Sequence, residues 1–178
     1  MPGYHPNWNP IDSHSLPTAV RFLQEVNFFL SKYSNPIDKK GRVSIPVSYR
    51  NILSDQSGLS HLVISPSIKS QCLEASSIKR LEAIHHIIQT LDPYSLERDA
   101  FETILMGEAM QLCCDNEGRV VIPKNFLDHA AIDSNVIFVG KGDVFEIWNP
   151  DKFDDHLAKA LKIAKNNISI LKNLVVRI

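Results

Sequence analysis

A short segment of this chain occurs twice. Ile37 to Pro46 reads IDKKGRVSIP, and Cys114 to Pro123 reads CDNEGRVVIP. The pairs at a constant offset are Asp38 with Asp115, Gly41 with Gly118, Arg42 with Arg119, and Pro46 with Pro123. A short helix and then an apolar strand are expected after each copy. Such a duplication constrains the fold, because each repeat is one supersecondary unit that must bury its apolar face against a neighbour.

Each copy predicts a tight turn followed by a strand. Gly41 and Gly118 lie where two apolar stretches reverse direction, and glycine adopts positive φ at little steric cost. In the strand after the first turn, Val43 and Ile45 alternate with polar residues. Residues that alternate along a strand point to opposite faces. Arg42 is therefore expected on the polar face.

A proline ends each of these strands. Pro46 and Pro123 have no amide hydrogen to donate to a strand ladder but suit the first position of a helix. We therefore expect short helices over Val47 to Leu53 and Lys124 to Asp128.

The rest of the chain predicts hairpins and amphipathic helices. In the first half we expect a strand at Phe28 to Ile37 and a hairpin of His61 to Ser65 with Gln71 to Ala75. Two helices should follow, one at Ser76 to Gln89 with Ser77 as N-cap and one from the cap Asp92-Pro93 to Gly107. In the second half we expect a hairpin of Asn135 to Gly140 with Val144 to Trp148 over Lys141 to Asp143, then a helix from Asn149-Pro150 with Phe153, Leu157, Leu161 and Ala164 on one stripe, and an apolar tail that extends this helix or docks on another subunit.

The repeated pattern D-x-x-G-R-hydrophobic-x-hydrophobic-P, with a helical insert between its copies, resembles the MraZ family over roughly Phe29 to Phe153. The resemblance implies an α+β fold built from two AbrB-like swapped-hairpin β units in one chain, with a helical hairpin insert and a C-terminal helix. The implied divisions are an N-terminal extension (1–25), a first SpoVT-AbrB-like repeat (32–79), the helical insert (80–107), a second repeat (109–152), and a C-terminal helix and tail (153–178).

The function that the resemblance implies is transcriptional regulation. It implies a sequence-specific DNA-binding regulator of the division and cell wall gene cluster, including its own promoter. Binding to repeated DNA elements is then expected from a ring-like homo-oligomer through the first-repeat hairpin. The expected location is the cytoplasm, at the nucleoid. No cofactor, membrane or small-molecule substrate is expected.

The N-terminal segment departs from this pattern. Met1 to Glu25 holds four of the ten prolines, and we expect most of it to be disordered. The family usually begins only a few residues before its first strand. One hypothesis is that translation starts at Val26, and an intact mass that includes Met1 to Glu25 would exclude it.

The net charge of the whole chain argues against DNA binding, whereas the local charge of the first copy argues for it. The net charge of −1 and the pI near 6.6 lack the basic signature of most nucleic-acid binders. Between Asp38 and Arg50 there are four basic residues against one acid, whereas between Asp115 and His129 there are two against three. These residues are Lys39, Lys40, Arg42, Arg50 and Asp38 in the first copy, and Arg119, Lys124, Asp115, Glu117 and Asp128 in the second. Phosphate contacts supply most sequence-independent affinity, so the first copy is expected to face DNA.

The candidate DNA-binding residues are Lys39, Lys40, Arg42 and, in the second copy, Arg119. An arginine on an exposed hairpin can bind phosphate or a guanine edge through two nitrogens. The structural alternative is an ion pair with Asp38 or Asp115, favoured more for Arg119 than for Arg42, and both roles can coexist. The residues expected to shape the turns are Asp38, Gly41, Pro46, Asp115, Gly118 and Pro123.

The sequence offers little for catalysis or metal binding. The motifs HExxH, GxSxG and GxGxxG are absent. His85 and His86 are adjacent on a predicted helix and cannot share a metal as an i, i+4 pair can. Cys72, Cys113 and Cys114 have no disulfide or zinc spacing and are expected to be small buried hydrophobes. We expect neither an enzyme nor a metal site.

Two other functions remain open. One is an AbrB-like oligomeric scaffold or nonspecific nucleoid-associated protein, consistent with the acidic second copy and the apolar tail. The other is a toxin-neutralising antitoxin, since AbrB-like hairpins also occur there. Antitoxins usually have one copy and a disordered partner-binding tail, so two copies with an ordered insert argue against that function.

Overall fold

The chain folds into an antiparallel sheet with several helices, an α+β arrangement. A computed structural model describes residues 28–54 and 60–175, with side chains through Leu171. In chain order the elements are β1 (Lys32–Pro36), β2 (Arg42–Ser44), α1 (Val47–Leu53), β3 (His61–Pro66), β4 (Leu73–Ser76), α2 (Ile78–Ile88), α3 (Leu96–Phe101) with a π-helical continuation (Glu102–Gly107), β5 (Met110–Cys113), β6 (Arg119–Val121), α4 (Lys124–His129), β7 (Asn135–Gly140), β8 (Val144–Trp148), α5 (Pro150–Asn166) and α6 (Ile168–Val175).

Strands from both repeats are interleaved in one sheet. The order is β1-β7-β8-β4-β3-β5, and each neighbouring pair is antiparallel. Strand β1 of the first repeat pairs with β7 of the second, and β5, which leads into the second copy, pairs with β3. Neither repeat has its own complete sheet, so the two halves share one core.

A separate two-stranded ribbon joins the repeated segments to each other. Strand β2 pairs antiparallel with β6. Strands β1 and β5 are the two edges of the main sheet, and each reaches the ribbon through one of the predicted turns. The ribbon therefore links the ends of both edge strands.

The predicted turns are confirmed, but each hairpin is only a short one. In the first copy Ile37 and Val43 form an isolated antiparallel bridge, and Asp38 N donates to Arg42 O at 3.1 Å. Beyond this bridge the strands separate toward different partners. Gly41 has φ 77° and Gly118 has φ 74°, as a tight turn requires.

Tyr49 lies at the centre of the core. Its side chain is fully buried, and its ring contacts Phe29 and Phe145 at centroid distances of 5.2 and 4.9 Å. Its hydroxyl donates to Ser31 O at 2.8 Å. The counterpart of Tyr49 in the second repeat, Phe126, is also buried. The two repeat helices therefore contribute matching aromatic side chains to the shared core.

The first strand is shorter than the sequence predicts. We expected Phe28 to Ile37, but β1 begins at Lys32. Ser31 has φ 74°, which interrupts the extended chain, and Phe29 forms an isolated bridge with Gly142. The expected disorder of residues 1–25 lies outside the described residues.

Two helix starts differ from prediction by a few residues. Pro46 and Pro123 are the N-caps of their helices, with ψ of 137° and 147°, rather than the first helical residues. The second insert helix begins at Leu96, capped by the Ser95 hydroxyl. Asp92 instead closes the preceding turn, where its carboxylate accepts from Tyr94 N at 2.9 Å.

The other predicted elements are present within a few residues. Ser77 caps α2, and the hairpin of β7 and β8 has the predicted bounds. On α5, Phe153 is buried while Leu157 and Leu161 are 37% and 51% exposed. The apolar tail does not extend α5 but forms a separate helix, α6, after a break at Asn167.

Candidate nucleic-acid interface

Asp38 organises the first turn through both of its carboxylate oxygens. Oδ1 accepts hydrogen bonds from Lys40 N at 2.8 Å and Arg42 N at 3.0 Å. Oδ2 accepts from Arg42 Nε at 2.7 Å. This is the local side chain to backbone bonding by which aspartate stabilises turns. One carboxylate therefore fixes both the turn backbone and the direction of the Arg42 side chain.

Asp115 makes the same contacts in the second turn. Its Oδ1 accepts from Glu117 N and Arg119 N, both at 2.9 Å, and its Oδ2 accepts from Arg119 Nε at 3.0 Å. A further ion pair joins Arg119 Nη1 to Glu117 Oε2 at 2.7 Å. The guanidinium of Arg119 is therefore held by two acids.

The structural alternative of an ion pair holds in both copies, although the sequence favoured it less for Arg42. In the first copy the pair uses only Nε, and no described residue pairs with the other two guanidinium nitrogens of Arg42. The Arg42 side chain is 44% exposed. Asp38 thus orients Arg42 and leaves its outer edge open to a ligand.

Hydrogen bonding lowers the pKa of both aspartates. The Arg42 amide, followed by its guanidinium, lowers the pKa of Asp38 below its ordinary 3.8. The Arg119 amide is the main cause of the lowered pKa of Asp115. The hydrogen bond that the Arg119 guanidinium donates to Asp115 raises the pKa of Arg119. All of these groups therefore remain charged at neutral pH.

The ribbon brings the two arginines onto one face. Arg42 lies opposite Val121 and Ser44 lies opposite Arg119, while Val43 and Val120 form the pair between them. Both of these central valines are buried, so the flanking residues face outward. Arg42 and Arg119 are therefore diagonal neighbours, a relation that places residues roughly 7 to 8 Å apart at the backbone.

The two lysines of the first turn are exposed. Neither the Lys39 nor the Lys40 side chain forms an ion pair or hydrogen bond with any described residue. In the second repeat Lys124 is paired with Asp128 at 2.9 Å. The first turn therefore presents unpaired cations, whereas cations of the second repeat are neutralised nearby.

Arg50 lies beside the second turn and not beside the first, where its position in the sequence placed it. A Cβ added to Gly118 would overlap the Arg50 guanidinium. Leu127, the counterpart of Arg50, lies in the same way beside Gly41, where an added Cβ would meet the Leu127 side chain at 3.4 Å. The constant offset between the repeats matches Arg50 with Leu127, and it is the sequence signal that would have predicted this exchange of positions. It moves one positive charge from the first copy to the acidic second turn.

Sequence reasoning also missed a buried polar network in the second repeat. Glu146 is buried and accepts from Lys141 Nζ at 2.6 Å and from Trp148 Nε1 at 2.8 Å. Lys141 lies in the connection of the β7 and β8 hairpin, and its ion pair ties this connection to β8.

The other chemically distinctive side chains have ordinary surroundings. His85 and His86 are exposed on the predicted helix, α2. Cys72 and Cys114 are buried, and burial raises their pKa values to about 12 and about 11. The expected burial of Cys113 is wrong, since it lies exposed on the edge strand β5. No group of three His, Cys, Asp or Glu side chains among the described residues is placed to hold a metal.

None of the helices that the structure describes combines the length and the apolar character needed to cross a bilayer.

Comparison with known proteins identifies the family. A family described as "MraZ protein, putative antitoxin-like" matches residues 105–175. A protein of Rickettsia bellii (strain OSU 85-389) named "Transcriptional regulator MraZ" is 50% identical over 149 residues, which cover 83% of this chain and 99% of that protein. Proteins of the same name from Rickettsia canadensis (strain McKiel) and Rickettsia akari (strain Hartford) are 49% and 48% identical over 148 residues, with the same coverage. The chain belongs to the MraZ family.

Proposed function

We propose that this chain is a sequence-specific DNA-binding transcriptional regulator that contacts DNA through the first turn and the outer face of the ribbon. The observation that carries the proposal is the set of unpaired cations at the first turn: Lys39, Lys40 and the outer edge of Arg42. The relatives' name, transcriptional regulator, agrees with this function. We propose the gene cluster for division and the cell wall, including the chain's own promoter, as its target.

The geometry of the first turn suits a polyanion. Two exposed lysines lie on a turn whose backbone is fixed by Asp38, so little backbone entropy is lost when they contact phosphates. Arg42 is already oriented by its Nε bond, which leaves two nitrogens for a bidentate contact. Lysines are therefore assigned to phosphate and Arg42 to phosphate or a guanine edge.

The second turn has a smaller role in this proposal. Arg119 shares the outer face with Arg42 but pairs with Asp115 and Glu117. Glu117 would have to move before phosphate approached the Arg119 side chain, which is 33% exposed. Arg119 is therefore proposed to supplement the first turn at the margin of the DNA contact.

We further propose that the pairing of strands between the two repeats is the AbrB-like swapped-hairpin arrangement, completed within one chain. The pairing of β1 with β7 and of β2 with β6 supports this. The proposed units remain repeat 1 (32–79), insert (80–107), repeat 2 (109–152) and the C-terminal helix and tail (153–178).

A ring-like homo-oligomer that binds repeated DNA elements completes the proposal. Each subunit offers only a few phosphate contacts, and several linked subunits gain avidity without new contacts. Such an assembly would reconcile the net charge of −1 with useful affinity. It would act in the cytoplasm, at the nucleoid.

The test compares Lys39→Ala/Lys40→Ala with the control Lys159→Ala/Lys162→Ala, which removes two exposed lysines from α5. Fluorescence anisotropy is measured across a salt series with DNA from upstream of the gene and with scrambled DNA. The first variant should flatten the salt dependence of log K by about 0.9 for each phosphate that it no longer neutralises, and the control should not. If the salt dependence of log K is unchanged in the first variant, with assembly intact, this surface is excluded as the DNA contact.

The second candidate is an oligomeric scaffold or nonspecific nucleoid-associated protein. It is favoured by the exposed apolar residues Leu157, Leu161 and Ile163 on α5, which suit a protein contact. The same titrations separate the functions. Equal, weak binding to upstream and scrambled DNA would support this candidate, and a preference for upstream DNA would support the regulator.

A further inference from the structure

A cavity of about 420 Å³ lies between the helical insert and the connection of β3 to β4. This volume is within the range of sites for small ligands. Its apolar wall is formed by six residues of the insert: Ile84, Ile87, Ile88, Leu91, Phe101 and Leu105. None of these residues belongs to the proposed DNA contact, so the cavity is a separate feature of the molecule.

Charged side chains lie at one side of this apolar wall. Arg80 and Lys69 line the cavity together with Glu74. No described residue forms an ion pair with any of the three. Two cations and one acid leave a single positive charge, which matches one carboxylate and not a doubly charged phosphate.

Arg80 carries the strongest indication of a ligand. Its Nε is buried and has no hydrogen-bond partner among the described residues. A buried N–H without an acceptor costs free energy, and charged groups cost more than neutral ones. Arg98 in the same insert is fully engaged, since it donates to Glu102, Gln89 and Leu91. The buried Nε of Arg80 is therefore available to an acceptor that enters the cavity.

We propose that this cavity binds a small amphipathic carboxylate, with its apolar body against the insert wall and its carboxylate on Arg80. The guanidinium supplies charge-assisted hydrogen bonds to the head group. The isoleucines and Phe101 remove the body from water. The ligand joins the insert to the β3–β4 connection and is independent of the DNA contact.

The experiment measures decanoate and decanol binding to the full-length protein by isothermal titration calorimetry, below the aggregation concentration of each probe. The two probes share the apolar body and differ in the charged head. Decanoate should bind at one site per chain, and Arg80→Met should weaken it by about tenfold, as expected when a charge-assisted pair is removed. Decanol binding should be the same in both proteins.

Lys79→Met is the matched control, because Lys79 is the exposed neighbour of Arg80 on α2. It should change decanoate binding less than twofold. Ile84→Phe fills the apolar wall and should weaken both probes, which keeps the test decisive if Arg80→Met does not fold. No decanoate binding to the wild-type protein would overturn the proposal, as would equal loss in Lys79→Met and Arg80→Met or unchanged binding in Ile84→Phe.

Discussion

At the scale of single residues, the turn aspartates connect stability to DNA recognition. Asp38 binds two backbone amides and the Arg42 guanidinium with one carboxylate. Removing it would therefore loosen the turn and release the arginine at the same time. An asparagine keeps an oxygen for the amides but has no charge for the guanidinium, so the two roles can be separated.

Asp38→Asn should unfold at a lower urea concentration than wild type at pH 7, and Asp38→Ala at a lower one still. The folded pKa of Asp38 is lowered below 3.8, so its contribution is fully present above that value and is lost as pH falls through the folded pKa. The difference between wild type and Asp38→Asn should therefore shrink on acidification below 3.8. Urea titrations across the pH range measure it, and a constant difference would show that the charge does not act through this ion pair.

At the scale of elements, the repeat helices hold the sheet and the kinked first strand together. Tyr49 on α1 reaches Ser31 O, where the chain adopts positive φ just before β1. Its counterpart Phe126 has no hydroxyl. The kink and the hydroxyl therefore occur together in the first repeat alone.

Tyr49→Phe should lower the free energy of unfolding by about 1 kcal/mol at neutral pH, the usual net value of one hydrogen bond. Burial raises the folded pKa of Tyr49 to about 12 from its ordinary 10. The neutral form is therefore favoured in the folded state, and this contribution is present below pH 10 and lost as pH rises toward 12. Denaturant unfolding of wild type and Tyr49→Phe between pH 7 and 12 should show their difference shrinking above pH 10. A loss of stability with the same pH dependence in both proteins would argue against Tyr49 as the cause.

Local sequence patterns predicted most elements but not their partners. Alternation and turn residues located the β7 and β8 hairpin and the helix Val47–Leu53. The pairing of β2 with β6 was not predicted, because hydrogen bonds between distant segments leave no trace in the local period of either. The left-handed Ser31 was missed for a related reason, since a hydroxyl from another element stabilises it.

The candidate site was predicted only in part, because some of its contacts are local in the sequence and others are not. The repeat located both turns and their aspartates, because the motif itself is local. The exchange of Arg50 toward Gly118 depends on how the two repeats pack, and no residue near Arg50 in the sequence indicates it. The cavity beside Arg80 also forms only where the insert meets the β3–β4 connection.

At the scale of the whole molecule, the strand order makes the two repeats dependent on each other. Strand β1 has its partner β7 across the repeat boundary, and β4 has β8 there as well. The ribbon is also formed by one strand from each repeat. A half chain would therefore expose the edges of β1 and β4 together with much of the shared core.

Separately produced segments 28–107 and 108–175 should each fail to form a folded monomer, and mixing them should restore the β-sheet signal. The reason is that each segment lacks the strands that complete its ladders, and the hydrogen bonds of unpaired strands are not replaced within one half. Circular dichroism and sedimentation of each segment and of the equimolar mixture measure this. The full chain, which should unfold in one cooperative transition, is the control. A stable monomer from either segment alone would show that a repeat can complete its own sheet, and the shared-core interpretation would then be wrong.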